Sequence, residues 1–477
     1  MAALIKWART KSPNPDFNFP VKRKTSRHAK AHANKKGGTQ KVALKPPMGW
    51  NSFDSYGVYL HEKAALANVE AMAKGIKKHG YEYFVIDNGW FGEYSLQEGT
   101  IYPAEKHAHD IRINEFGQFI PSEVYFPGGL KPIADRCHEL GLKFGVHLMR
   151  GIPRKAYEMD LPIEGTPYTA RDIANTEKKE NCTWCTYCYG VDMTKPGAQE
   201  WYDGLIQHIV DMGVDFIKYD DIVPHPDEVE AVAKAIRKTG KPIVLSLSPG
   251  GSVDPNAIDF FKMGNMLRVT PDVWDEQKYI NLCFDAWRKW QGKEELGFWI
   301  DMDMIPFGQL QLMSPPSKDK NKSPLSKGDV ALAGKGVKRW CMLNAAQQRT
   351  FITMRALAAS PLMMGGDLPS LDKASYDLIT NSEMVACNQN GKMGRLIYEE
   401  GDIEVWTVKK KGSSNEGWIG VFNRGKDSKK ITLNERLLGK VLSAMTFKDV
   451  WNKKGLSIGD SARLGSNDVL FLTYVSK

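Results

Sequence analysis

Cysteine is scarce in this chain, and the little there is lies scattered. Cys137, Cys182, Cys185, Cys188, Cys283, Cys341 and Cys387 are the only seven among 477 residues. An odd, widely spaced set in a long chain argues against a disulfide framework. Long hydrophobic runs are missing as well. No stretch approaches the roughly 20 apolar residues of a membrane-spanning helix, so no membrane span is expected. Ala2 to Trp7 is short and interrupted by Lys6, which rules it out as the apolar core of a secretory signal. The compartment stays open: cytoplasmic as the chain stands, periplasmic or secreted if a leader has been removed. Histidine numbers ten, and His147 is the main one near a strand end. That leaves little material for a metal-dependent hydrolase, a rival that a chelator would test.

An even charge distribution is also absent. The net charge is +9, from 65 Lys and Arg against 56 Asp and Glu. Residues 1–45 hold twelve of the bases and one of the acids, so the rest of the chain is close to neutral. The basicity therefore belongs to a tail and not to a binding face, and no nucleic-acid partner is expected. Rich in Lys, Ser, Pro, Asn and Gly, with no sustained apolar period, this tail reads as a disordered leader. A tether to an acidic polysaccharide or nucleic acid is the alternative.

What is present is ordinary for a soluble globular protein: 42% hydrophobic and 25% charged residues. The length calls for two folded units besides the tail, taken as 46–390 and 391–477. Thirteen tryptophans suit the apolar faces of sugar rings, but they suit any large core equally well. Cys182-x-x-Cys185-x-x-Cys188 has no fourth ligand at finger-like spacing. The expectation there is a loop closed by one disulfide, with no metal.

From about residue 47, short β-branched runs alternate with amphipathic stretches, the pattern of repeated βα units. Strands are expected at 48–53, 83–88, 143–149, 214–221, 243–248, 266–270, 298–304 and 362–366, and helices at 63–79, 197–212, 226–239, 277–291 and 344–359. Eight strands with helices between them fit a (β/α)8 TIM barrel. Residues 151–192 form an insertion after the third strand and are expected to shape a substrate entrance. Residues 313–338, rich in Lys, Pro, Ser and Gly, read as a surface loop. Beyond residue 391 the pattern becomes short alternating strands, expected to form a small antiparallel β-sandwich.

Catalytic side chains of such barrels emerge at the C-terminal ends of the strands. Those ends carry Trp50 and Asn51, then Asp87, Asn88 and Trp90, then Lys218, Asp220 and Asp221, then Arg268 leading to Asp272, and finally Asp301, Asp303 and Asp367. The result is an acidic bowl. Glycosidic bond cleavage needs two carboxyl groups flanking the anomeric carbon. Lys218 and Asp220, two apart on a strand, point into one face, and a lysine keeps a neighbouring carboxylate ionised. Ion pairing for purely structural reasons explains Lys218–Asp220 or Arg268–Asp272 just as well. Residue patterns alone reach a sugar hydrolase or a metal-assisted one.

Six segments together resemble glycoside hydrolase family 27, the α-galactosidase and α-N-acetylgalactosaminidase family. They are Pro47-Met-Gly-Trp-Asn-Ser-Phe53, Ile86-Asp-Asn-Gly-Trp90, Lys218-Tyr-Asp220, Arg268 with Asp272, Trp299-Ile-Asp-Met-Asp-Met304, and Ala358-Ala-Ser-Pro-Leu-Met-Met-Gly-Gly-Asp-Leu368. The resemblance runs from about Pro46 to Gln389. It implies a retaining exo-glycosidase in which Asp220 is the nucleophile and Asp272 the acid/base. It further implies Trp50 as the apolar platform, Asp87 and Lys218 on ring hydroxyls, and Arg268 near the C2 substituent. No metal or organic cofactor is implied, and the partner is a carbohydrate.

Departures from the family pattern bear on the substrate. The second-strand pair is usually two aspartates but reads Asp87-Asn88 here, which alters hydrogen bonding at O4 or O6. Ser248, where α-galactosidases carry an acid, resembles the acetylgalactosaminidase branch and its room for an acetamido group, unless a neighbouring side chain fills that room. His147-Leu-Met-Arg-Gly-Ile-Pro-Arg154 is similar to bacterial members, some of which act on other pyranosides such as isomaltose-releasing α-glucans or β-L-arabinopyranosides. A non-catalytic carbohydrate-binding relative is the rival from another class. Oligomeric state is not legible in the sequence.

Overall fold

Eight short runs of apolar and β-branched residues pair in parallel. In the computed structural model they are β1 (Met48–Asn51), β2 (Tyr83–Ile86), β3 (Lys143–Met149), β4 (Phe216–Asp220), β5 (Val244–Ser248), β6 (Met266–Arg268), β7 (Trp299–Asp301) and β8 (Leu362–Met364). Described are residues 42–92, 111–182, 185, 187–223, 225–249, 253–312, 338–442 and 444–476. The expected basic tail therefore lies almost wholly outside the described residues, as does the expected 313–338 loop except for Lys338. Each strand lies beside its neighbour in sequence, and β8 returns to β1. Closure comes just past β7, where Ile305 bridges Met364 of β8 in parallel. This is a (β/α)8 barrel, covered on both faces as parallel sheets are.

Six of the eight strands stop one to three residues short of the expected limits at their C-terminal ends, whereas β3 and β5 end where expected. The physical reason is visible after β4 and β7, where Asp221 and Asp303 adopt φ of 60° and 74°. A left-handed residue cannot continue a strand, so the chain turns away where the acidic residues cluster.

Helices α1 (Glu62–Gly75), α2 (Lys131–Glu139), α3 (Ala198–Asp211), α4 (Pro226–Thr239), α5 (Gln277–Trp290) and α6 (Ala345–Leu357) cover the barrel. α4 shows why such segments fold locally. Pro226 opens it where no N–H is needed, Asp227 and Glu228 complement its N-terminal dipole, and Gly240 closes it at φ 68°. α2 was not anticipated, because its buried stripe is only Ile133, Ala134 and Cys137.

Behind the barrel lie β9 (Arg395–Glu400), β10 (Ile403–Lys409), β11 (Glu416–Asn423), β12 (Lys429–Thr432), β13 (Met445–Asp449), β14 (Gly455–Leu456), β15 (Ser461–Leu464) and β16 (Val469–Ser476). They form a six-stranded antiparallel sheet, β9-β10-β11-β16-β13-β14, and a β12-β15 pair. Alternation divides each strand between two cores. Val405, Ile419, Val421, Leu470 and Leu472 pack inward with Ile431 and Leu464 of the pair. Trp406, Trp418, Phe422 and Phe471 join the barrel's core instead.

Cys182, Cys185 and Cys188 correct one expectation. All three are buried thiols, with no disulfide among them. They pack as small apolar side chains, and burial raises the thiols of Cys185 and Cys188.

Candidate active site

Period-two alternation along β4 sends Lys218 and Asp220 to one face. In register, Lys218 lies beside His147 and Ser246, and Asp220 beside Met149 and Ser248. Lys218 Nζ donates to Asp87 Oδ2 at 2.7 Å. The same oxygen accepts from Asn51 Nδ2 at 2.7 Å, and Asp87 Oδ1 accepts from the Asn88 amide at 2.8 Å. Burial opposes the charge on Asp87, yet Lys218 and His147 hold the carboxyl below its ordinary range. Burial opposes the Lys218 cation too, and Asp87 and Asp220 outweigh it.

Both oxygens of Asp220 are engaged. His147 Nε2 lies 3.2 Å from Oδ2, and the Asp221 amide donates to Oδ1 at 2.8 Å. Against the cost of burial, His147, Arg268 and Lys218 drive the Asp220 carboxyl far below the usual carboxylate range.

Arg268 joins this group to a second carboxylate. Its Nη1 donates to Asp272 Oδ1 at 2.5 Å and lies 3.6 Å from Asp303 Oδ2. Asp220 is a further anion that stabilises the same guanidinium. The two acids differ in access: the Asp272 side chain is 39% exposed and that of Asp220 9%. Asp303 is fixed by the Val273 amide at 2.7 Å. Burial and the neighbouring Asp303 push Asp301 up to about 6.

Ser248, Arg268 and Lys218 line a small cavity with Asn51, Asp301 and Asp303. Ser248 Oγ, Asn88 Nδ2, Arg268 Nε and His147 Nδ1 are buried without a hydrogen-bond partner. Unsatisfied polar atoms are rare in native interiors. Four of them around one acidic bowl suit a polyhydroxylated ligand.

The structure thus gathers Asp220, Asp272, Lys218, Asp87, Arg268 and Ser248, with Asn88 next to Asp87. Trp50 is set apart. It has no exposed surface, stacks on Phe84 at 4.7 Å and donates from Nε1 to the Gly366 carbonyl at 2.8 Å. The aromatic ring beside the lysine is Phe53, whose centroid lies 6.0 Å from Lys218 Nζ. Sequence reasoning missed it, although an aromatic just past β1 was the available signal. His147 enters the sequence reading as a candidate metal ligand and as part of the bacterial-type segment 147–154, and its contact with Asp220 is new. Tyr187, from the insertion after β3, donates to Asn88 Oδ1 at 2.7 Å, a contact that no spacing announced. Among the described residues no cluster of His, Cys, Asp and Glu could hold a metal ion, and no helix is long and apolar enough to cross a membrane.

The chain is similar to known proteins over most of its length. Residues 55–360 match the family described as Glycosyl hydrolases family 31 TIM-barrel domain, which makes the barrel that of a glycoside hydrolase. A GH27 β-L-arabinopyranosidase from Geobacillus stearothermophilus superposes with a TM-score of 0.80 at 36% identity, covering 91% of this chain and 97% of its own. Alpha-galactosidase 2 of Arabidopsis thaliana is 26% identical over 420 residues, 86% of this chain and 83% of that protein. Alpha-galactosidase A of Cellvibrio japonicus is 26% identical over 379 residues, 77% of this chain and 73% of that protein. The family 31 match and these relatives agree on a glycoside-hydrolase barrel, and the near full-length identity decides between families. The chain belongs to glycoside hydrolase family 27, and it is a glycosidase.

Proposed function

We propose that this protein is a retaining exo-glycosidase that removes terminal α-galactoside-type residues by double displacement. One observation carries the reading: Arg268 binds the accessible Asp272 directly while it also stabilises the buried, ionised Asp220. An Asp220 oxygen attacks the anomeric carbon as the glycosidic C–O bond breaks, and Asp272 gives its proton to the leaving oxygen. Asp272 then takes a proton from water, whose oxygen displaces Asp220 from the anomeric carbon. Retention asks for carboxyl groups about 5–5.5 Å apart. Asp87 and Lys218 bind ring hydroxyls on the far side, Phe53 replaces Trp50 as the apolar surface offered to the ring, and Arg268 with Ser248 lies toward the C2 substituent.

A second substrate is favoured by Asn88, whose carbonyl oxygen is already taken by Tyr187. β-L-Arabinopyranosides share the galactoside ring but lack its hydroxymethyl group, so they ask less of this position. The Geobacillus relative, itself a β-L-arabinopyranosidase, points the same way.

A hydrolysis screen decides. Nitrophenyl α-galactoside, β-L-arabinopyranoside, α-N-acetylgalactosaminide and α-glucoside are assayed with Asp220→Asn as the blank. Turnover of the galactoside or arabinopyranoside, absent in the blank, is expected. Turnover that persists in the blank, or that a chelator abolishes, would overturn the mechanism. Sugar binding without hydrolysis would identify a non-catalytic relative.

A further inference from the structure

Asp221, the residue after the proposed nucleophile, has φ of 60°. Left-handed backbone is disfavoured for residues with a Cβ and persists only where surrounding contacts enforce it. Those contacts come from Arg150, one residue past the end of β3. Its backbone amide donates to the Asp220 carbonyl at 3.1 Å. Its Nε donates to the Asp221 carbonyl at 2.8 Å, and its Nη2 to Asp221 Oδ2 at 3.0 Å. The remaining donors are anchored on Glu228 Oε1 at 2.7 Å and the Glu180 carbonyl at 2.7 Å. Glu228 stands in the first turn of α4 and also accepts from the Tyr202 hydroxyl and the Val191 amide. Arg150 and Glu228 are both buried, and these groups are engaged with one another and with neighbouring protein atoms.

We infer that Arg150 is a positioning residue for the proposed nucleophile: its backbone amide on the Asp220 carbonyl and its guanidinium on left-handed Asp221 together hold the peptide whose N–H meets Asp220 Oδ1. The inference rests on the reading of Asp220 as nucleophile. What matters in Asp221 is then its backbone and not its charge. The planar guanidinium suits this task, because its fork reaches a carbonyl and a carboxylate of one residue at once. A lysine reaches only one of them. With the clamp in place, Asp220 is held at Oδ1 by a main-chain donor and at Oδ2 by His147. Its freedom to rotate away from an anomeric carbon is removed before substrate arrives.

Substitutions at Asp221 separate backbone from charge. Asn tolerates φ above zero and keeps an acceptor for Arg150, and Gly adopts that φ without help. Ala supports neither. Asp221→Ala is expected to lower kcat at least tenfold with KM within twofold, because the carboxylate stays ionised and loses only its aim. Groups that face Asp220 and stay in place in all variants are His147, Lys218 and Arg268. Asp221→Gly and Asp221→Asn are each expected to keep at least five times the turnover of Asp221→Ala. Arg150→Lys should behave like Asp221→Ala in the natural background and cost less in the Asp221→Gly background.

Crystal structures of Asp221→Ala and Asp221→Gly read the same point without turnover. The residue 221 amide should lie off Asp220 Oδ1 in the first and on it in the second. Equal kcat for Ala and Gly, or an unmoved amide in Asp221→Ala, would overturn the inference. A displaced amide in a protein that hydrolyses none of these four glycosides would leave the clamp standing and remove the proposed substrate and the reading of Asp220 as nucleophile instead.

Discussion

His147 and Asp220 meet across the β3–β4 boundary, with the imidazole Nε2 3.2 Å from the carboxylate Oδ2 and both side chains almost fully buried. The contact is the largest of the stabilising influences on the Asp220 anion. A carboxylate buried this deeply pays a desolvation cost that only specific partners can offset. Here they are a ring nitrogen, a main-chain amide and two cations from three different strands.

The two proposed catalytic acids should fail differently. Asp220→Asn and Asp272→Asn are each expected to lower turnover of an unactivated galactoside at least a hundredfold, with thermal unfolding close to that of the natural protein. A dinitrophenyl leaving group needs no proton, so it should rescue the first step in Asp272→Asn and not in Asp220→Asn. Equal rescue of both, measured by burst kinetics, would mean that the two roles are misassigned.

Much of this was legible in the sequence, for identifiable reasons. Parallel strands are buried on both faces and read as apolar runs, so Lys143–Met149 emerged with its observed limits. α4 likewise emerged with its limits, because Pro226 and Gly240 mark its ends. The acids at strand ends followed from barrel topology. What stayed hidden depends on contacts distant in sequence. Tyr187 reaches Asn88 across 99 positions, and Arg150 reaches Asp221 across 71. Trp50 looked like a sugar platform because its type suits one. Period-two alternation cannot tell a side chain facing the ligand from one packed on its neighbour, here Phe84.

Asp301 gives a pH prediction. Burial first, then Asp303, raises its folded pKa to about 6 from an ordinary 3.8. Between these values the folded protein holds a proton that the unfolded chain has lost. By linkage, this group's contribution to stability is fully present below about pH 4 and is lost as pH rises toward about 6. Asp301→Asn keeps the oxygen that accepts from the Asp303 amide and removes the titration. The stability difference between variant and natural protein should therefore swing by on the order of 1–3 kcal/mol in favour of the variant across that window. Denaturant midpoints at pH 4, 5, 6 and 7 measure it, and a constant difference would remove Asp301 from the account.

Asn88 and Tyr187 predict sugar preference. Restoring a carboxylate with Asn88→Asp offers a stronger acceptor to a C6 hydroxyl, which only the galactoside has. The ratio of kcat/KM for galactoside over arabinopyranoside should rise at least fivefold, within the range that one hydrogen bond to substrate commands. Tyr187→Phe leaves Asn88 Oδ1 buried without its donor, at about 1–3 kcal/mol, and should lower kcat/KM for both sugars together. A ratio unmoved by Asn88→Asp would show that this side chain faces away from C6.

The joint between barrel and sheet predicts how the two parts unfold. Trp287 of α5 is fully buried, stacks on Trp406 of β10 with ring centroids 3.8 Å apart and planes 21° from parallel, and donates from its indole to the Gly394 carbonyl at 3.2 Å. Phe422 of β11 meets it edge-on at 6.4 Å. Truncating an indole so enclosed costs about 3–5 kcal/mol in lost burial and cavity formation. The lost surface belongs to both parts, so the natural protein should melt in one transition. Trp287→Ala should lower that transition and split off the β9–β16 sheet as an earlier step, and Trp287→Phe should do so less. Two transitions already present in the natural protein would mean that the stacked indoles join units that do not depend on each other.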